Sequence, residues 1–172
     1  VTALAPPFAV ATLVLCVAGL AKLRTPAGAV DALRELRLPA RAGLVRALGA
    51  LEVVIGITAL VHPARTVAAG VAALYGAFCV ISVLLARRRL GCGCFGEGAA
   101  PASGVQSSIS GIFALIALAA ATAWPLPHGI SSAFDSSAVT AGTLLVGIAG
   151  AAYATVIAYT ELPSAWAAWS ER

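Results

Sequence analysis

With 172 residues, 60% of them hydrophobic and only 10% charged, the chain falls well short of the roughly 25% charged residues a soluble domain carries, too few to coat a water-facing surface. Its length leaves room for one domain and no sizeable soluble module. The net charge of +4 does not argue for nucleic-acid binding, because the basic residues stand in short runs between long uncharged ones, where they serve membrane topology.

Five runs are each near the roughly 20 residues a bilayer requires. They span residues 6–23, 47–61, 66–86, 105–124 and 137–160. The first lacks a basic leader and continues as a membrane protein, so it reads as a span and not as a signal peptide. The predicted fold is an all-α integral membrane protein, a four-helix transmembrane bundle plus a fifth C-terminal transmembrane helix, in one membrane domain. Abundant Ala, Gly, Val and Arg with a single Lys fit a GC-rich bacterial genome and hence a bacterial inner (cell) membrane.

Between the first two spans, Thr25-Pro26 reads as an N-cap with proline at the first helical position, and Pro39 as the stop. Val30, Leu33 and Leu36 alternate with Asp31, Arg34, Glu35 and Arg37. Residues 26–38 therefore read as an amphipathic helix at the membrane surface, with a solvated connector as the alternative. Small residues at helical spacing, Gly70, Ala73 and Ala77, then Gly147, Ala151 and Thr155, read as helix-contact positions. Trp124, Tyr159, Trp166 and Trp169 read as interface anchors.

The first loop holds Lys22, Arg24, Arg34, Arg37, Arg41 and Arg46, and the third holds Arg87, Arg88 and Arg89; the opposite face has only Arg65. This bias puts the first and third loops in the cytoplasm and the N-terminus outside.

Chemistry concentrates in Gly91-Cys92-Gly93-Cys94-Phe95-Gly96-Glu97. A disulfide closed over one intervening residue is strained, and strained disulfides exchange readily. Arg87, Arg88 and Arg89 nearby favour the thiolate. Two other readings stay open. One is a structural turn. The other is a metal site, for which His62 and His128 belong to loops on the other face.

Glu52 is the second candidate, because a carboxylate inside a span is costly and calls for a function. It lies six residues beyond Arg46, about 9 Å from the loop face. It is expected to pair with Lys22 as a structural bridge, to handle protons for the CxC pair, or to meet a partner or water. Cys16 and Cys79 lie at similar depths, about 9 and 12 Å, which permits a second redox pair. The plainer expectation is that each packs as a small hydrophobe.

Gly19-Leu20-Ala21-Lys22-Leu23, Glu52 and Cys92-Gly93-Cys94-Phe95-Gly96 together resemble the MauE branch of the DoxX-like membrane proteins, over about residues 6–124. The resemblance implies a four-helix core similar to that of vitamin K epoxide reductases and disulfide-forming quinone reductases. It also implies a thioredoxin-fold partner, because MauE-like proteins accompany such proteins in methylamine dehydrogenase maturation. No cofactor is firmly implied. A quinone is the candidate, although CxC replaces the CxxC of the epoxide reductases and their quinone chemistry is not carried over. Related sequences often carry a His at the start of span four, where this chain has Gly104-Val105-Gln106. The charge count also puts the thiols in the cytoplasm, whereas a maturation partner of this kind is expected outside.

Two functions follow. The first is a membrane thiol-disulfide redox protein, with Cys92, Cys94 and Glu52 as the reacting set and Lys22, Arg87, Cys16 and Cys79 in support. The second is a non-catalytic membrane subunit that anchors or assembles a redox complex.

Overall fold

The structure is a computed structural model that describes residues 4–88, 90, 104–123 and 138–162. Helices are the only regular secondary structure among the described residues. The helices are α1 (Ala5–Arg24), α2 (Ala27–Glu35), α3 (Ala42–Val61), α4 (Arg65–Arg87), α5 (Gly104–Thr122) and α6 (Ala138–Thr160). All but α2 are long and apolar enough to cross a membrane, and the chain is a multi-pass membrane protein. Helices suit this solvent because every internal backbone group finds its partner within the segment. The hydroxyls of Thr58, Thr143 and Thr155 follow the same rule, donating to the carbonyls of Val54, Val139 and Ala151 one turn earlier.

Pro6 and Pro7 open α1, where a missing N–H costs nothing. His62 closes α3, and Pro63 prevents its continuation. α3 starts at Ala42, earlier than the expected start near residue 47, because Arg46 sits on the helix and not in a loop. Lys22, Arg24 and Arg87 are likewise helical, in the last turns of α1 and α4.

α2 is shorter than the expected 26–38, and both expected boundary signals fail. Thr25 does not cap α2. Its hydroxyl donates back to the Ala21 carbonyl at the end of α1. Pro39 does not end α2 either. The helix has already closed through Leu38 N to Leu33 O and Arg37 N to Arg34 O, with Arg37 in the left-handed region at φ 59°. This is the Schellman arrangement, with arginine where glycine is usual.

α1 packs closely and antiparallel against α3, and α4 against α5, while α1 also meets α5 and α6. The α1–α3 approach depends on glycine. A Cβ on Gly19 would come within 2.6 Å of the Gly49 carbonyl, and one on Gly49 within 2.7 Å of the Gly19 carbonyl. Of the small residues expected to make such contacts, Gly70 faces α3, where an added Cβ would lie 3.7 Å from Ile55, and Thr155 is half-buried, whereas Ala73, Ala77, Gly147 and Ala151 are exposed, the last two at a groove shared with Val10 of α1 and Phe113 of α5. Ala73 and Ala77 face outward because α4 turns another face to the bundle.

The core gathers Phe8, Val14 and Leu15 of α1 with Val71 and Tyr75 of α4, Phe113 and Ala117 of α5, and Ile148 of α6. Tyr75 meets Phe113 edge-on, with ring centroids 5.1 Å apart. Large apolar side chains such as Val54, Leu115 and Val146 remain exposed, as a surface facing lipid requires.

Candidate functional site

Lys22 stands two residues from the end of α1, close enough to the interface to extend its ammonium outward. It turns inward instead, because α-helical side chains lean toward the N-terminus and Glu52 waits there on α3. Nζ lies 2.9 Å from Glu52 Oε2, with Glu52 wholly buried and Lys22 nearly so. Nζ also reaches the Ala18 carbonyl at 3.5 Å and sits 4.9 Å from the Phe78 ring centroid, a cation–π geometry. Among the described residues, nothing hydrogen-bonds the second carboxylate oxygen of Glu52, Oε1. The glycine contact at Gly19 and Gly49 brings this pair within reach, since both flank it by one turn or less.

A second set of polar groups lies beside it. Tyr75 donates to the Ala11 carbonyl at 2.6 Å. Ser110 and Tyr159 hydroxyls are 2.8 Å apart, and Gln106 Nε2 donates to the Tyr159 carbonyl at 3.1 Å. Lys22, Tyr75, Ser110 and Tyr159, with Val14, Leu15, Ala18 and Phe78, line a cavity of about 20 Å³. Tyr159 is therefore no interface anchor; it is buried against α5. Sequence reading missed this set. The available signal was Gln106 and Ser110 one turn apart, on one face of a largely apolar span that also holds Ser107 and Ser108, a polar stripe that needs partners.

Arg88, just past α4, donates from Nη1 to the Glu35 carbonyl at 2.9 Å, which satisfies an open carbonyl at the end of α2. Ala32 of α2 and Leu85 of α4 are buried together beside Leu36, Ile81 and Leu90. α2 thus lies against the end of α4, directly before the Cys92–Cys94 segment in the chain. At the opposite end of the bundle, Arg65 Nε donates to the Ala121 carbonyl at 2.8 Å.

Cys92, Cys94, Arg89, His128, Trp124, Trp166 and Trp169 lie outside the described residues, as do the expected end of span four and start of span five. Cys16 and Cys79 are described and carry free thiols. Cys16 points its sulfur toward the Val53 carbonyl, at 4.0 Å, in the α1–α3 interface. Cys79 donates to the Ser107 carbonyl at 3.3 Å, in the α4–α5 interface. The structure brings Lys22 and Glu52 together and gives the two membrane cysteines different neighbours.

A family model described as methylamine utilisation protein MauE matches residues 1–126. The chain belongs to the MauE family. The match takes in α1 to α5, and with them Lys22, Glu52, Tyr75, Ser110 and the Cys92–Cys94 segment. Among the described residues, Tyr159, on α6, is the one lining residue of the MauE-family protein's cavity that lies beyond it. No curated protein and no solved structure matches the chain.

Proposed function

We propose that this MauE-family protein is a membrane thiol-disulfide redox protein that passes electrons to or from a thioredoxin-fold partner through Cys92 and Cys94. One thiolate attacks a partner disulfide, and a mixed disulfide forms as the partner's other sulfur leaves as thiolate. The second cysteine then attacks the mixed disulfide, leaving the partner reduced and the CxC pair oxidised. Running in reverse, the same steps oxidise the partner. A proton must leave each attacking thiol and reach each departing thiolate, and Glu52 is the group proposed to handle it.

The observation that carries this reading is a buried acid–base pair, Lys22–Glu52, in a chain whose family-matched stretch also includes a glycine-bracketed CxC. A carboxylate held inside a membrane is costly. The basic run Arg87–Arg89 before the cysteines supplies the thiolate-favouring charge. By charge bias the cysteines face the cytoplasm and the N-terminus lies outside.

The test is a redox titration with trapping. Cys92 and Cys94 should interconvert between dithiol and disulfide at a potential above about −300 mV, unlike stable structural bridges. A Cys92→Ser or Cys94→Ser variant should hold its partner as a mixed disulfide. Thiols inert across that range reject the redox reading. A non-catalytic subunit that anchors a redox complex would then stand, favoured by a Lys22–Glu52 pair that already satisfies one charge with the other.

A further inference from the structure

We infer that the bundle binds one water molecule in the cavity among Lys22, Tyr75, Ser110 and Tyr159, and that this water joins the Lys22–Glu52 pair to the Ser110–Tyr159 hydroxyl pair across the membrane interior. Size selects the ligand. A single water needs roughly 10–15 Å³ of such space, and the cavity offers about 20 Å³, enough for one water and far too little for a quinone ring or a lipid chain.

Polarity agrees. A buried water requires two to four polar partners. The ammonium of Lys22 has three donors. One is spent on Glu52 at 2.9 Å, one reaches Ala18 at a long 3.5 Å, and Phe78 offers the remainder only a ring face. Tyr75, having donated to Ala11, keeps its oxygen as an acceptor. The Ser110 and Tyr159 hydroxyl oxygens, 2.8 Å apart, each carry acceptor lone pairs. A water placed there accepts from Lys22 and donates to these hydroxyls, joining the Lys22–Glu52 pair, Tyr75 and the Ser110–Tyr159 pair into one network that touches α1, α3, α4, α5 and α6.

This gives α6 a role the family match does not cover. Tyr159 becomes a positioning residue: it holds the water beside the Lys22 ammonium. The inference is independent of whether the cysteines react.

The chain has a single lysine, so ¹⁵Nζ-lysine labelling yields one ammonium signal. In detergent-solubilised full-length protein, rotating-frame transfer from water to that ammonium, whose sign distinguishes it from proton exchange, should be present in the wild type. Ser110→Val fills and de-polarises the cavity, and Tyr159→Phe removes one hydroxyl. Each should abolish the transfer or cut it severalfold while the Nζ–Glu52 contact persists. A wild-type ammonium without water contact overturns the inference. So does a contact undiminished in both variants, which would mean that water arrives by another route. If Ser110→Val fails to fold, the wild type and Tyr159→Phe still decide.

Discussion

Lys22 and Glu52 carry the largest single electrostatic commitment in the described fold. Removing one partner of a buried pair strands the other, typically at about 3–5 kcal/mol, whereas replacing both with apolar groups is often near neutral. Lys22→Met should therefore destabilise the protein by that order, and Lys22→Met with Glu52→Leu should recover most of it, as read by denaturant unfolding in detergent. Glu52→Gln should cost less than Lys22→Met, because the amide is neutral and Lys22, two residues from the helix end, regains the route to the interface. The same variant should slow thiol exchange by roughly 10²-fold, the lower end of what a positioned acid–base group supplies. An unchanged rate with reduced stability assigns Glu52 to structure alone. Cys16→Ala and Cys79→Ala should alter stability slightly and leave exchange intact, since each sulfur sits in a separate helix interface.

At the scale of helices, the α1–α3 seam is the element on which the pair depends. Gly49→Ala drives a methyl into the Gly19 carbonyl, a backbone atom that cannot step aside. Overpacking of this kind costs about 1–3 kcal/mol, and the widened seam should also lengthen the Lys22–Glu52 contact. Gly76→Ala is the control. Its Cβ would meet nothing within 4 Å, so the helix-propensity gain, up to about 1 kcal/mol, should raise the melting temperature. The closing turn of α2 offers a third test. Arg37 holds a left-handed backbone that costs an L-residue roughly 1–2 kcal/mol. Arg37→Gly should slow hydrogen exchange at the amides of α2, and exchange unchanged or faster would show that the turn is not what limits this helix.

For the molecule as a whole, the arrangement of ends matters more than any contact. Lys22 of α1, Arg41 before α3, Arg87 of α4 and the start of α5 share one end of the bundle, and Arg65 marks the other, tied to the last turn of α5. Reporter fusions after Arg88 should register in the cytoplasm, and fusions after His62 outside. The reverse pattern would invert the proteins that can reach Cys92 and Cys94 without changing the helices. α6 bears on function at this scale, because it brings Tyr159 from outside the family-matched region into the shared cavity.

The sequence alone determined the membrane class, the five long helices, the family and the two charged residues that form the buried pair, because each shows in the chain itself: run length, hydropathy, motif and the cost of a charge in hydrocarbon. It also drew attention to the CxC segment, whose spacing is a property of the chain itself. Tertiary structure decided which faces meet. Hydropathy in a membrane is nearly uniform around each helix, so it cannot tell a glycine with open space beside it, such as Gly150, from a packed one such as Gly49, nor an interface tyrosine from Tyr159. Those distinctions are fixed by close approach and by hydrogen bonds between helices distant in sequence, Ser110 to Tyr159 and Tyr75 to Ala11. The Lys22–Glu52 contact needed both: chemistry legible in the residues, and a glycine seam that only the folded bundle reveals.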